Sequence, residues 1–411
     1  MKKNINILLV FALSLFTAKA IAQDKDAEFK PHGQLWGYAF GDFAFKSHSD
    51  SVGSGAVPYS KGRGGSNQYT NMPQNTSMFQ FRRIYLGYNY EISPKFSAEF
   101  LLAAEDDFNA GLVNQSAGDV LQNGKFSPYV KLANIRWKNI WKGTDLVFGQ
   151  SNTPAFAKQG KNNQTSEEVW GYRSIERTVT DIRRTPSFDM GIKLEGTLPK
   201  NDNYGYILMV GNGTSAKPES DMFKWFYGDI FAKFMDKKLV VDLFMDYQRY
   251  NWTPTWHDDR QMTKLFVAYT VPKFTIGVEY YMNRIMADCI ATRTGGKDTI
   301  TSKANSLSLF VKGRISKDKL GFFARYDTYT PSANLNNGIY SAYSEIKVSQ
   351  YDPNNNESFL TLGLDYTPIK NVHIMPNIWL NTYKNAGPSS TSKPDDNDMV
   401  YRLTFYYIYG K

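Results

Sequence analysis

The chain has 411 residues, with 48 Lys and Arg against 39 Asp and Glu for a formal net charge of +9. A single cysteine excludes a disulfide framework and a four-cysteine zinc site. Hydrophobic residues at 42% and aromatics at 15% exclude a disordered or fibrous chain. Beyond the first twenty residues no apolar run approaches the ~20 residues of a membrane helix. A barrel remains open, because its strands need only ~10 alternating residues and average to a polar composition.

The N-terminal segment reads as an export signal. Lys2 and Lys3 precede an apolar core at 5–16, and Ala18-Lys19-Ala20 and Ala20-Ile21-Ala22 both fit a small-x-small cleavage site. Cleavage is expected after Ala22, with 23–411 as one outer-membrane β-barrel. No cysteine directly follows the apolar core, so a lipid anchor is not expected. Loss of Lys2, Lys3 and Lys19 takes +9 to +6, too weakly basic to argue for a nucleic-acid partner.

Beyond that segment apolar and polar side chains alternate, as a strand with two different faces requires. Phe188, Met190, Ile192 and Leu194 alternate with Asp189, Gly191, Lys193 and Glu195. The same alternation recurs at 239–246, 274–281, 307–312 and 402–407. About sixteen strands are expected, at 31–46, 77–92, 95–105, 127–139, 144–151, 186–199, 203–212 and 224–236. The remainder fall at 238–252, 260–272, 273–285, 304–316, 319–329, 356–368, 371–383 and 398–409.

Tight turns such as Ser93-Pro94, Pro272-Lys273 and Ile369-Lys370 separate long polar connections at 47–76, 106–126, 152–185, 213–223, 253–259, 286–303, 330–355 and 384–397. Short and long connections in strict alternation predict an all-β, transmembrane antiparallel barrel, with both termini and the short turns on the periplasmic rim. Aromatics crowd the strand ends: Trp36, Tyr38, Phe40, Tyr85, Tyr88, Tyr90, Trp137, Trp141, Tyr247, Tyr250, Trp252, Tyr280, Tyr281, Tyr406, Tyr407 and Tyr409. They are expected to form girdles at the two membrane interfaces. In this register Val278 and Leu309 face lipid, and Thr275 and Ser308 are expected to meet water.

Several segments together resemble the phosphate-selective porin O/P family. They are FRRIYLGYNYEISPKFSAEF at 81–100, ANIRWKNIWKGTDLVFGQSNTPAF at 133–156, the run at 167–198, GFFARYDTYTP at 321–331 and the run at 360–381. The resemblance spans most of the chain after residue 22. It implies a sixteen-stranded Gram-negative outer-membrane porin, commonly a homotrimer among lipid and lipopolysaccharide, passing anions or other small solutes without a cofactor. The chain departs from the pattern at its end, where Tyr409 is followed by Gly410 and Lys411.

The polar face of the clear strands carries seven cations: Lys193, Lys233, Lys264, Lys312, Arg314, Arg325 and Arg402. It carries nine anions: Glu99, Asp189, Glu195, Asp229, Asp242, Asp246, Glu279, Asp327 and Asp365. Seven against nine is no anion ladder, so a general pore is expected, with phosphate preference the lesser alternative. Alternation does not settle the facing of Arg82, Arg83 and Arg136.

The connection at 152–185 is the candidate constriction. Thr165 and Glu168 fit a capping box, followed by Val169, Tyr172, Ile175, Val179 and Ile182 at helical spacing. Arg173, Arg177 and Arg184 fall on the opposite face, beside Glu176 and Asp181. Folded into the lumen, that helix would narrow the pore and attract anions.

Catalytic patterns are sparse. His32, His48, His257 and His373 lie in no hydrolase or zinc motif, and Cys289, in an expected outer connection, is read as a spectator thiol. His257-Asp258-Asp259 reads as a solvated loop before it reads as a cation site, and Asp395, Asp396 and Asp398 are weak candidates for bridging lipopolysaccharide through divalent ions. The leading function is therefore a passive diffusion porin, not an enzyme. The alternative is a secreted or surface β-rich adhesin or lectin without a channel.

Overall fold

A computed structural model describes residues 29–50, 69, 72–105, 128–155, 169–175, 186–199, 201–250, 253, 257–316, 319–332, 334–345, 353–388 and 394–410. The export segment at 1–22 lies outside them, as does most of the helix expected over 165–184. Within that helix the described part, 169–175, contains a 3-10 turn at Arg173–Ile175.

The strands in chain order begin with β1 His32–His48, β2 Thr76–Ser93, β3 Phe96–Glu105, β4 Tyr129–Trp141, β5 Thr144–Asn152 and β6 Phe188–Leu198. They continue as β7 Asn201–Gly211, β8 Trp225–Phe234, β9 Leu239–Gln248, β10 Arg260–Val271, β11 Phe274–Arg293 and β12 Gly296–Ser316. Last come β13 Leu320–Thr330, β14 Ala342–Glu345, β15 Asn355–Ile369, β16 Val372–Asn385 and β17 Asp396–Tyr409. Sixteen of them form an antiparallel ring, each paired with its neighbours in chain order. It closes where β1 pairs with β17, from Gly37 opposite Tyr409 to His48 opposite Met399. The short β14 stands outside the ring and adds to β11 at Cys289–Thr292.

The usual distribution of polarity in a soluble protein is inverted. Ile192, Leu208, Ile230, Leu265, Ile276, Leu309, Leu362 and Leu403 on the outer face are 42–57% exposed, while Asp42, Asp189, Asp327, Asn381 and Thr404 on the inner face are fully buried. An apolar outer band with ionic groups inside suits a barrel whose exterior solvent is hydrocarbon. Exposed Trp137, Trp141, Tyr204, Phe234, Phe274, Tyr366 and Tyr407 gather at the short-turn rim, where an aromatic girdle belongs. Tyr38, Phe40, Tyr85 and Tyr281 are not girdle residues: they are buried on the inner face. Strands with aromatics on both faces hide that distinction in the sequence, and Trp252 lies outside the described residues.

Short turns on one rim follow from antiparallel pairing of chain neighbours. The turn between β4 and β5 uses Gly143 at φ +86°, where a Cβ would meet the Thr197 carbonyl oxygen at 2.7 Å. The expected connection at 286–303 is instead strand. A bulge between Ile285 and Cys289 lets β11 run on to Arg293, and the chain reverses over Thr294-Gly295, with Gly295 at φ +86°. Ile290, Ala291 and Thr292 pair with Thr299, Asp298 and Lys297, a polar partner strand that composition alone reads as loop. Cys289 is therefore a buried strand residue packed with Tyr343, not a loop thiol.

Thr275 and Ser308 face inward but are 4% and 0% exposed, so that wall is packed and not wet. Inner-face aromatics such as Phe266 and Phe310, stacked at 6.2 Å, fill space that a wide pore would leave to water.

Ile230→Arg or Leu309→Arg puts a cation on the lipid face and is expected to cost about 2–4 kcal/mol of barrel stability. Met222→Arg, in the 76%-exposed position between β7 and β8, is expected to cost about 0–1 kcal/mol. Urea unfolding in lipid vesicles measures both, and equal losses would overturn the inside-out register.

Candidate functional site

The ionic inner face is the candidate site, and the strand pleat decides which side chains reach it. Lys193, Lys233, Lys264, Arg402, Asp189, Glu195, Asp229, Asp242, Asp246, Glu279, Asp327 and Asp365 are buried there. Lys312, Arg325 and Glu99 are half-buried on the same face, and Arg314 is exposed near the short-turn rim.

Bulges explain the arginines whose facing alternation leaves open. On β2, Arg83 lies opposite Phe40 and Phe81 opposite Gly41, so Arg82 is an extra residue and both arginines turn inward. Lys131 is the corresponding extra residue on β4, between the partners of Leu101 and Leu102. Arg136 also points inward, with Nη1 2.9 Å from Asp145 and Nη2 3.0 Å from Glu195.

The lining groups associate in clusters. Glu105 accepts from Tyr129 at 3.0 Å, lies 3.4 Å from Arg83, and pairs with Lys131 and Tyr85. Lys46 is 2.9 Å from Asp398, which also accepts from Tyr383 at 2.8 Å. Asp229, Asp242, Asp246 and Glu279 occupy β8 to β11, where Lys264 lies 3.4 Å from Glu279. Asp189 accepts from the Gly213 amide at 2.7 Å and from Tyr227 at 2.8 Å. The walls are therefore locally paired, although cations concentrate on β1, β2, β4 and β17 and carboxylates on β8 to β11.

The segment 169–175 enters this space on the side opposite its own strands. Trp170 meets Phe310 and Phe323 edge-on at 5.4 and 6.0 Å, with Arg325 5.5 Å from its ring centre. Tyr172 packs on Phe323 at 4.4 Å and donates to Asp365 at 3.4 Å, beside Lys312 at 5.9 Å. Ser174 donates to Met375 Sδ at 3.8 Å, and its carbonyl accepts from Arg402 at 3.2 Å. Val169, Trp170 and Ile175 belong to the main apolar cluster of the lumen. Arg177, Arg184 and the Arg173 side chain lie outside the described residues.

Alternation also misses several inner charges. Asp42 and Lys46 sit in β1, where aromatics occupy both faces, and Glu105 and Asp398 lie near strand ends. Asp398 does not face the outer rim: it is buried with Lys46, while Asp396 is held by His48 at 2.7 Å. His257 pairs with Asp259 at 2.9 Å, and buried Asp259 also accepts from the Tyr250 amide at 3.0 Å. Asp258 and Asp259 of that loop are thus buried, while His257 stays partly exposed beside Asp259. Among the described residues no group of three or more His, Cys, Asp or Glu side chains could hold a metal ion.

No family model and no curated protein sequence matches the chain. Solved structures do. The outer membrane channel DcaP of Acinetobacter baumannii aligns over 94% of this chain and 100% of its own, with TM-score 0.62 at 10% identity. A Salmonella typhi OmpF complex with daunomycin gives TM-score 0.54 at 13% identity, over 91% of this chain and 97% of that one. OmpT of Vibrio cholerae, expressed in the outer membrane, gives TM-score 0.52 at 13% identity, over 95% and 100%. The chain has the porin fold. At these identities the likeness concerns fold alone.

Trp170→Ala deletes the edge contacts that seat 169–175 on β12 and β13. The Ile175 amide, bonded to the Tyr172 carbonyl at 2.9 Å, is then expected to exchange hydrogen about tenfold faster or more, a loss of about 1.4 kcal/mol. Exchange at mid-strand amides such as that of Leu309 should stay unchanged; mass spectrometry of peptic fragments reads both.

Proposed function

We propose that the protein is an outer-membrane porin of a Gram-negative bacterium, through which small hydrophilic solutes or ions diffuse passively. The carrying observation is the inverted barrel, an apolar outer band around a lumen lined by ionic side chains. The names of two structural neighbours, an outer-membrane channel and a porin known with a bound small molecule, support the same reading. Residues 1–22 act as the export signal, and 23–411 as the barrel set among lipid and lipopolysaccharide. Association as a homotrimer is part of the proposal, supported by a trimeric form of the Vibrio cholerae neighbour.

The lining argues for a general channel, since its charges are mostly paired and no single-sign ladder runs along it. The connection at 152–185 is proposed as the constriction, with Arg173, Arg177 and Arg184 supplying a local positive field. Within low-dielectric walls such a field is focused and raises the local anion concentration. A phosphate preference, which the sequence resemblance implies, would have to come from this segment and not from the wall. The His and carboxylate groups of the lumen are read as structural, so the function is transport and not hydrolysis.

Planar bilayers with a salt gradient test the proposal. Discrete conductance steps are expected, and a detergent-free soluble protein with none would favour the adhesin or lectin reading instead. Replacing Arg173, Arg177 and Arg184 by Ala is expected to shift the reversal potential towards cations. The shift should shrink near ~1 M salt, where the screening length is about 3 Å. An unchanged potential would remove the three arginines from the constriction.

A further inference from the structure

We propose that the buried Asp42–Arg402 pair is a clasp that seats two inward segments on one wall of the lumen and thereby sets the aperture. One segment is 169–175. The other comes from the connection between β1 and β2, through Tyr69 and Met72. This inference rests on the porin reading and adds to it a second loop and the residues that position it.

Tyr69 and Met72 are both fully buried, although they belong to a connection on the long-loop rim. The Tyr69 hydroxyl donates to Asp42 and accepts from Arg82 Nη1 at 3.2 Å. Its ring lies 5.4 Å from the Arg82 guanidinium, 5.5 Å from that of Arg402, and edge-on to Trp379 at 5.5 Å. Its carbonyl accepts from Lys46 Nζ and from the Met72 amide, both at 3.0 Å. A loop tyrosine is thus held by five side chains of four strands, β1, β2, β16 and β17.

Arg402 joins that anchor to the other segment. Its Nη2 lies 2.8 Å from each Asp42 oxygen and 3.2 Å from the Ser174 carbonyl, and its guanidinium sits 4.1 Å over Trp379. Thr404 completes the carboxylate's shell at 2.5 Å. Asp42 and Arg402 come from opposite ends of the chain and meet only because β1 pairs with β17 at Asp42 and Thr404. Removal of either charge therefore loosens both segments together, since each is bonded to one member of the pair.

The charges fix the signs of the outcome. Asp42→Asn makes the cluster one charge more positive, Arg402→Gln makes it one charge more negative, and the double variant restores the wild-type charge without the clasp. In a focused lumen field the reversal potential should move towards anions in the first and towards cations in the second. In the double variant it should return near the wild-type value, with conductance raised about twofold as the segments leave the lumen. Tyr69→Ala, which alters no strand residue and no charge, should raise conductance similarly and leave the reversal potential near the wild-type value.

Hydrogen exchange separates the clasp from the channel reading, because it needs no conduction. Asp42→Asn is expected to speed exchange at the amides of both Met72 and Ile175 about tenfold or more, with Leu309 unaffected and heat-modifiable gel mobility retained. Both amides unmoved would overturn the clasp even if the wild type conducts. A reversal potential that stays put in all variants of a conducting, folded barrel would place the cluster off the permeation path and overturn its role in the aperture. A wild type without conductance, but with both amides responding, would sink the porin reading and leave the clasp standing as an anchor.

Discussion

In hydrocarbon no water is available to bond a backbone amide or carbonyl, so every such group along a spanning segment needs a partner within the protein. Strands meet that demand only in a closed sheet, and here closure rests on β1, whose one edge pairs with β2 and whose other edge pairs with β17. The remaining features depend on this ring. Short turns must join neighbours on one rim, the pleat must turn alternate side chains outward, and only apolar ones survive there. Ionic side chains are left the inner face, where they must find each other.

That last requirement shapes the lumen. A buried charge without a partner is costly, and removal of one member of a buried pair typically costs about 3–5 kcal/mol. The clusters around Glu105, Asp398 and Asp42 answer this with several donors for each carboxylate. The bulge on β2 belongs to the same solution: it turns Arg82 and Arg83 to the same side, one towards Asp42 and the other towards Glu105. A regular strand would have sent one of them into lipid.

Inward segments complete the packing. Trp170, Tyr172 and Tyr69 lay aromatic faces beside Arg325, Lys312, Arg82 and Arg402, a combination that keeps cations solvated in part by ring electrons while excluding bulk water. The lumen is consequently a structured interior, and the path left to a solute is set by how firmly these segments are held.

The barrel class, its sixteen strands and the inward facing of residues such as Asp189, Lys193 and Glu195 were legible in the sequence, because a period of two is a local property of consecutive residues. The short turns were legible for the same reason, through Pro, Gly and Asn at fixed places. The protrusion of β11 and β12 was not, since the Lys297–Ile300 partner strand looks like loop until it is paired. The facing of Arg82 was not, because a bulge is a mismatch between two strands and leaves no mark in one. Asp42, Tyr69, Ser174 and Arg402 could be joined by no sequence argument: they lie up to 360 residues apart, and only ring closure and the inward course of two connections bring them within hydrogen-bond reach.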